Sequence, residues 1–262
     1  MKKISLYILT AVIALAFASC NTDAEKAFYE GTGGVEAGFS SKLLVRDLAA
    51  GENGTFAVTV YRGSTKGAAS IPVTLTSVKT VLGTVKTDAP GVFSLQTATA
   101  DFADGEAETT INLLYTFGSL DPVPTYEIIL DLNADDASPA AQKTLTIRAK
   151  MKLEYASIGT GSFTSEFFEE TWAVDIHKAS GVDAYIIKDC YYAGYDIKYI
   201  ISGGNVIVET QNIGWYYDDT YKWVMFTPQS SAIVAGGVDF TVKFTLTGAA
   251  FGGEYVEQVR LP

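Results

Sequence analysis

Thr55-Phe56-Ala57-Val58-Thr59-Val60-Tyr61 alternates apolar and polar side chains between Gly54 and Gly63. In an extended chain successive side chains point to opposite faces, so Phe56, Val58 and Val60 fall on one side, ready for a core. β-branched and aromatic residues favour this conformation because they pack well on a pleated surface. The same period recurs at residues 71–76, 108–113, 126–132 and 145–149, each run bounded by Gly, Asp, Asn or Pro. Helical periodicity is nearly absent, and five such strands at this spacing predict a β-sandwich.

Past residue 150 the pattern restarts. Lys150-Met151-Lys152-Leu153-Glu154-Tyr155 ends the first set, and Gly159-Thr160-Gly161-Ser162 opens a second. Strands are expected around Phe163 and at residues 171–177, 184–188, 195–201, 205–210, 222–227 and 239–246, with turns at Gly203-Gly204-Asn205 and Ala235-Gly236-Gly237. The expected fold class is all-β, with two tandem sandwich-like domains at 35–150 and 155–262. With 48% hydrophobic and 12% aromatic residues, the 262-residue chain can bury a substantial core.

The N-terminus has a different character. Lys2 and Lys3 precede an apolar run from Ile4 to Phe17, followed by Ala18 and Ser19. This order is that of a secretory signal, residues 1–19. The run is about fourteen residues, short of the roughly twenty that a membrane-spanning helix needs. Phe17-Ala18-Ser19-Cys20 resembles the lipobox of bacterial lipoproteins, with Phe17 where that family usually has Leu. The resemblance implies a diacylglyceryl group on the Cys20 thiol, a lipidated linker over residues 20–34 and membrane attachment through that lipid. Asn21-Thr22-Asp23-Ala24-Glu25 looks like the acidic surface-export tag of Bacteroidetes lipoproteins, which implies the outer membrane and the cell surface.

Two further resemblances concern the folded part. The Gly-rich entry Ala50-Gly51-Glu52-Asn53-Gly54, the strand ending Tyr61-Arg62-Gly63, the strand holding Val73 and Leu75, the turn Phe102-Ala103-Asp104-Gly105-Glu106 and the strand from Thr109 to Leu113 together resemble the Calx-beta family of extracellular sandwiches. Some members bind calcium through acidic loops. Here Tyr115-Thr116-Phe117-Gly118-Ser119-Leu120-Asp121-Pro122 replaces the usual acidic run and lacks the oxygen ligands calcium demands. Calcium is therefore disfavoured, no other cofactor is expected, and Asp101, Asp104, Glu106 and Asp121 read as solvated loop residues. From Gly159 through Val174, Ile176 and residues 185–189 to Tyr195-Asp196-Ile197, the order is similar to a domain recurrent in Bacteroidetes surface lipoproteins. The company those proteins keep, polysaccharide-handling surface complexes, implies glycan or host-surface binding.

Residue types restrict the chemistry. His177 is the only histidine, so any triad or His-rich metal site would have to converge on it. Alternation along residues 172–177 sets Trp172, Val174 and Ile176 on one face and Asp175 with His177 on the solvent side. Acylation of Cys20 leaves Cys190 without an intramolecular partner, and it reads as a buried, inert thiol. No HExxH, GxSxG or P-loop pattern occurs. Glycosidases need only a carboxylate pair, such as Glu169 or Glu170 with Asp218, but among thirty acids such a pair carries almost no information. The reading is non-catalytic. A net charge of −11 repels phosphate backbones, so nucleic acid is not an expected partner.

Aromatic placement carries the functional signal. All three tryptophans lie in the second half, and Tyr191, Tyr192, Tyr195, Trp215, Tyr216, Tyr217, Tyr221 and Trp223 crowd into about thirty residues. Core packing accounts for many such rings. Three adjacent aromatics cannot all face one way in a strand, so Trp215-Tyr216-Tyr217-Asp218-Asp219 should expose at least one ring beside acidic oxygens. Flat rings beside hydrogen-bonding groups suit the face and hydroxyls of a sugar. Trp215, Tyr216, Tyr217, Asp218, Asp219 and Tyr221 are the candidate binding residues, for glycan or a surface protein. The alternative is a structural subunit of an outer-membrane assembly without a sugar ligand. Mass spectrometry of the native protein should find the mature chain beginning at diacylglyceryl-modified Cys20, and Cys20→Ala should shift it from the membrane fraction to the soluble one.

Overall fold

The computed structural model describes residues 35–52, 54–132 and 142–262; Cys20 and the leader lie outside them. Strands β1 (Ala37–Gly38), β2 (Leu43–Ala49), β3 (Thr55–Arg62), β4 (Ala69–Leu82), β5 (Val85–Asp88), β6 (Phe93–Leu95), β7 (Thr99–Phe102), β8 (Glu108–Tyr115), β9 (Thr125–Leu132) and β10 (Thr144–Lys152) surround a first core. Strands β11 (Tyr155–Ser165), β12 (Glu170–Ala179), β13 (Ala184–Ile187), β14 (Ile197–Ser202), β15 (Asn205–Ile207), β16 (Gln211–Asp218), β17 (Lys222–Val234), β18 (Gly237–Leu246), β19 (Ala249–Ala250) and β20 (Tyr255–Arg260) surround a second. The fold class is all-β, as the period-two pattern requires.

Around the first core, one sheet has the order β1-β3-β8-β6 and the other β2-β10-β9-β4-β5, with β7 added to β4. Phe56, Val58, Val60, Ile111 and Leu113 point inward from the first sheet, and Val73, Ile128, Leu130 and Ile147 from the second. Each such side chain contributes about 1.5–3 kcal/mol on burial. Arg62 is buried among them, and backbone carbonyls receive its guanidinium. It donates to Glu106 O (2.5 Å), Gly67 O (2.8 Å), Ala103 O (2.6 Å) and Thr65 O (3.2 Å), and it lies over the Phe102 ring. A rigid five-donor fork suits this task, and it pins the 63–67 and 103–106 turns together.

The segment from Tyr115 to Pro122 has a structural use. Phe117, at the start of a short 3-10 turn, packs against the first core, as do Leu153 and Val182. Gly181, at φ +75°, lets the β12–β13 turn come against the Phe117 ring. Asp121 accepts hydrogen bonds from Val123 N (3.0 Å) and from Ser202 Oγ (3.2 Å), the latter across the junction of the two cores. The other loop acids also hold turns: Asp104 accepts from Gly67 N (2.6 Å) and Glu106 from Ala103 N (3.0 Å).

The second core is wrapped by one sheet, ordered β15-β14-β13-β12-β11-β20-β18-β17-β16, with β19 beside β18. Strand twist curls it until its two ends approach. Gln211 on β16 closes the seam, accepting from Lys198 N and donating to Lys198 O, both at 2.8 Å, like a ladder step made by a side chain. Val238, Phe240, Val242 and Phe244 alternate inward along β18, opposite Phe163, Val174 and Ile176 of β11 and β12.

One charged residue lies inside this second core. Glu257 on β20 is 0% exposed. Its Oε1 accepts from Ser165 Oγ (3.0 Å) and Phe167 N (3.3 Å), and its Oε2 from the Tyr191 hydroxyl (2.8 Å). Those donors belong to the β11–β12 turn and to the loop after β13, so one carboxyl ties three segments together. Burial nevertheless pushes the Glu257 carboxyl above its ordinary 4.5, outweighing the hydrogen bonds that lower it. A raised carboxyl means that the folded chain holds a proton the unfolded chain has released, so stability falls as pH rises through that window. Above about pH 4.5 the wild type should therefore lose thermal stability relative to Glu257→Gln, the gap widening with pH. Glu257→Leu, which strands three donors, should cost about 3 kcal/mol in denaturant titrations.

Candidate functional site

The aromatic residues of the second half collect at one end of the curled sheet, where the β11–β12 turn, the 188–196 loop, the β16–β17 hairpin and the β18–β20 connection meet. Phe167 is the hub. Its ring lies 4.4 Å from that of Phe244, 4.8 Å from Tyr255, 5.0 Å from Phe168 and 5.2 Å from Phe251. Trp215 stacks on Phe251 (5.5 Å, 21° between planes) and approaches Phe168 at 6.0 Å. Such offset and edge-to-face pairs are the geometries that ring quadrupoles favour.

The hairpin tip divides the candidate residues between two faces. Trp215 and Tyr217 share one face, with Tyr217 set against Phe251 (5.7 Å) and Tyr221 (6.0 Å). Tyr216 takes the other, edge-to-face with Trp223 at 5.1 Å, and Trp223 in turn neighbours Tyr195 at 5.8 Å. Tyr216 is 42% exposed, Tyr217 46%, Tyr221 38% and Trp223 39%, whereas Trp215 is half-buried on the rim of the core. Both tyrosines beside Trp215 thus reach solvent, on opposite sides.

The two aspartates differ in role. Asp218 Oδ1 accepts from Thr220 N (2.8 Å) and Tyr221 N (2.7 Å), which shapes the turn and allows Lys222 its positive φ. Asp219 accepts from the Tyr216 hydroxyl at 2.6 Å, orienting that ring at the surface, and this bond holds the phenol above its ordinary pKa. Glu169 sits on the β11–β12 turn, Glu170 begins β12, and Asp218 is already engaged as a turn acceptor.

A bulge sets the hairpin against the 188–196 loop. Between Asn212 and Tyr216 the pairing of β16 with β17 slips, Gly214 takes φ +87°, and Gly214 N donates to Asn212 Oδ1 at 2.8 Å. A Cβ on Gly214 would overlap the Tyr195 ring and Tyr192 Cβ, so only glycine lets the loop lie this close. The loop itself is tightly drawn. Asp189 adopts φ +47° and accepts from Gly194 N (2.5 Å), Asp189 N donates to Asp196 Oδ1 (3.1 Å), and Lys188 pairs with Asp196 Oδ2 at 2.7 Å. The Trp172 indole donates to Cys190 O at 2.7 Å. Cys190 is buried, and desolvation pushes its thiol well up, away from reactivity.

His177 lies away from this end, half-buried on β12, with Nε2 2.8 Å from Asp175 Oδ2. Asp175 also accepts from Ser157 Oγ at 2.6 Å, and these two bonds hold its carboxyl below the usual range. The Ser157 hydroxyl bonds to Asp175 and not to His177, so the three groups are not ordered as a Ser-His-Asp relay. Among the described residues, no group of three or more His, Cys, Asp or Glu is placed to hold a metal ion. Phe167, Phe168, Phe251, Tyr255 and Glu257 also belong to the site, brought there by contacts that strand periodicity does not encode. The adjacent pair Phe167-Phe168 beside a turn was the available signal.

No family model matches the chain, and no curated protein does. Among solved structures, it is similar to a Bacteroides ovatus protein of unknown function, at 10% identity and a TM-score of 0.40, covering 87% of this chain and 94% of that one. An auxiliary nutrient binding protein from Bacteroides thetaiotaomicron is similar at 11% identity and a TM-score of 0.36, covering 84% of this chain and 89% of that one. The calcium binding domain CBD12 of CALX1.1 is similar at 12% identity and a TM-score of 0.32, covering 59% of this chain and 79% of that one.

Proposed function

We propose that this chain is a non-catalytic, lipid-anchored protein of the bacterial outer-membrane surface, whose aromatic end binds glycan. The observation that carries the reading is the exposure of Tyr216, Tyr217, Tyr221 and Trp223 around one hairpin tip that is held by Asp218 and by edge-to-face ring contacts. Exposed rings on a fixed scaffold offer apolar area to a sugar face at low entropic cost, and the oxygens of Asp219 and the tyrosine hydroxyls can meet its hydroxyls. An acidic, lipid-tethered chain suits neutral or cationic surface partners better than polyanions.

A second reading, a structural subunit of a membrane assembly, draws support elsewhere. Leu43 and Val45 are exposed on β2, at the edge of its sheet, and Leu82 and Val85 are exposed at the β4–β5 hairpin. Exposed apolar groups along a strand edge invite another chain.

The double variant Tyr216→Ala/Tyr217→Ala removes the two most exposed of the four rings, one from each face, and leaves half-buried Trp215 in place. On a glycan array it should lose at least about tenfold in affinity, near 1.4 kcal/mol, with unchanged circular dichroism. Full binding by the variant, or a silent array with co-purifying membrane proteins, would favour the structural reading.

A further inference from the structure

Beside the exposed hairpin, between the β11–β12 turn and the 188–196 loop, lies a cavity of about 330 Å³. Its walls include the rings of Phe168, Trp172, Tyr191 and Tyr192, and its titratable carboxyl groups are Glu170 and Asp189. No lysine, arginine or histidine lines it. Lys188, next in the chain to Asp189, is engaged by Asp196. The cavity therefore joins ring π-systems, which attract cations, to carboxylates with no lining base to neutralise them. Behind the Tyr191 ring, the Tyr191 hydroxyl is held by the buried Glu257, which keeps that wall fixed.

The cavity is also built to keep its shape. The Trp172 indole is anchored on Cys190 O, and Asp189 is held in a left-handed conformation by its bond from Gly194 N. Glu169, immediately before Glu170, adopts φ +58°. Non-glycine residues held in this region cost about 1–3 kcal/mol each and persist where the surroundings over-determine them. The volume lies near the lower end of ligand pockets, about 300–1,000 Å³, which suits a single sugar ring rather than a chain.

We propose that this cavity binds a protonated amino sugar, its ammonium group directed to Glu170 and Asp189 and its ring packed on Trp172 and the neighbouring aromatics. The assignment rests on the glycan reading and narrows it to a cationic residue. A carboxylate-lined aromatic pocket discriminates against a neutral sugar because only the ammonium gains both the ion pair and the ring contact. It also discriminates against an N-acetylated sugar, whose amide carries no charge.

Isothermal titration of the full chain near pH 7 with glucosamine, N-acetylglucosamine and glucose tests this. Glucosamine should bind saturably and at least about tenfold more tightly than either neutral sugar, with affinity falling as salt is raised. Glu170→Gln, an exposed substitution, should remove most of that preference. Asp189→Asn, in which asparagine tolerates the left-handed backbone, should weaken it further. No glucosamine binding, equal binding of the three sugars, or binding indifferent to both substitutions would overturn the assignment. Neutral-glycan binding that depends on Tyr216 and Tyr217 without a glucosamine preference removes this inference and leaves the glycan reading standing. Glucosamine binding lost in Glu170→Gln, with an otherwise silent glycan array, supports this inference and removes the hairpin tip as the glycan-binding surface.

Discussion

A single buried carboxyl organises the second half of this protein. Glu257 receives Ser165 Oγ, Phe167 N and the Tyr191 hydroxyl, groups that lie about ninety or about sixty-six residues away along the chain. An ionisable group in an apolar core is tolerated only where its oxygens are satisfied. Once these donors are drawn in, the β11–β12 turn cannot leave β20, and the 188–196 loop cannot leave the turn. The rings that flank those donors, Phe167, Phe168 and Tyr191, are then packed at one end of the sheet by the same constraint. Polar satisfaction inside the core thus arranges the aromatic surface outside it.

The curled sheet supplies the frame. A sheet this wide twists until its ends meet, and here a side-chain amide, Gln211, completes the closure that backbone pairing leaves open. Closure brings β16 and the 188–196 loop side by side, and Gly214 lets them touch. The β16–β17 hairpin projects from this seam with rings on both sides. One set continues the core cluster through Trp215 and Phe251, and the other, Tyr216 and Trp223, is stabilised mainly by its own contacts and by Asp219.

The first core meets the second through an apolar wedge. Phe117 fills the space beside Gly181, and the Asp121–Ser202 bond fixes the approach. The chemistry of this loop, a ring and small residues, serves packing between neighbouring β units. Arg62 plays a comparable part within the first core, where a cation satisfied by carbonyls holds two turns in register.

The amino-acid sequence by itself determined the all-β class, because alternation at residues 55–61 and 108–113, and with one break at Ile129 along 126–132, places alternate side chains in a shared core. It also determined that Trp215, Tyr216 and Tyr217 could not all be buried, because neighbours in a strand face opposite ways. Strand β20 was not legible: in Tyr255-Val256-Glu257-Gln258-Val259 both parities carry an apolar residue, so nothing local says that Glu257 turns inward. Only the tertiary structure decided that, together with the use of Asp218 as a turn acceptor, the place of Phe167 as hub, and the cavity between Glu170 and Asp189. The physical reason is common to all four. Each depends on which distant segments the curl of the sheet brings into contact, and side-chain periodicity records the face a residue takes without recording what lies across from it.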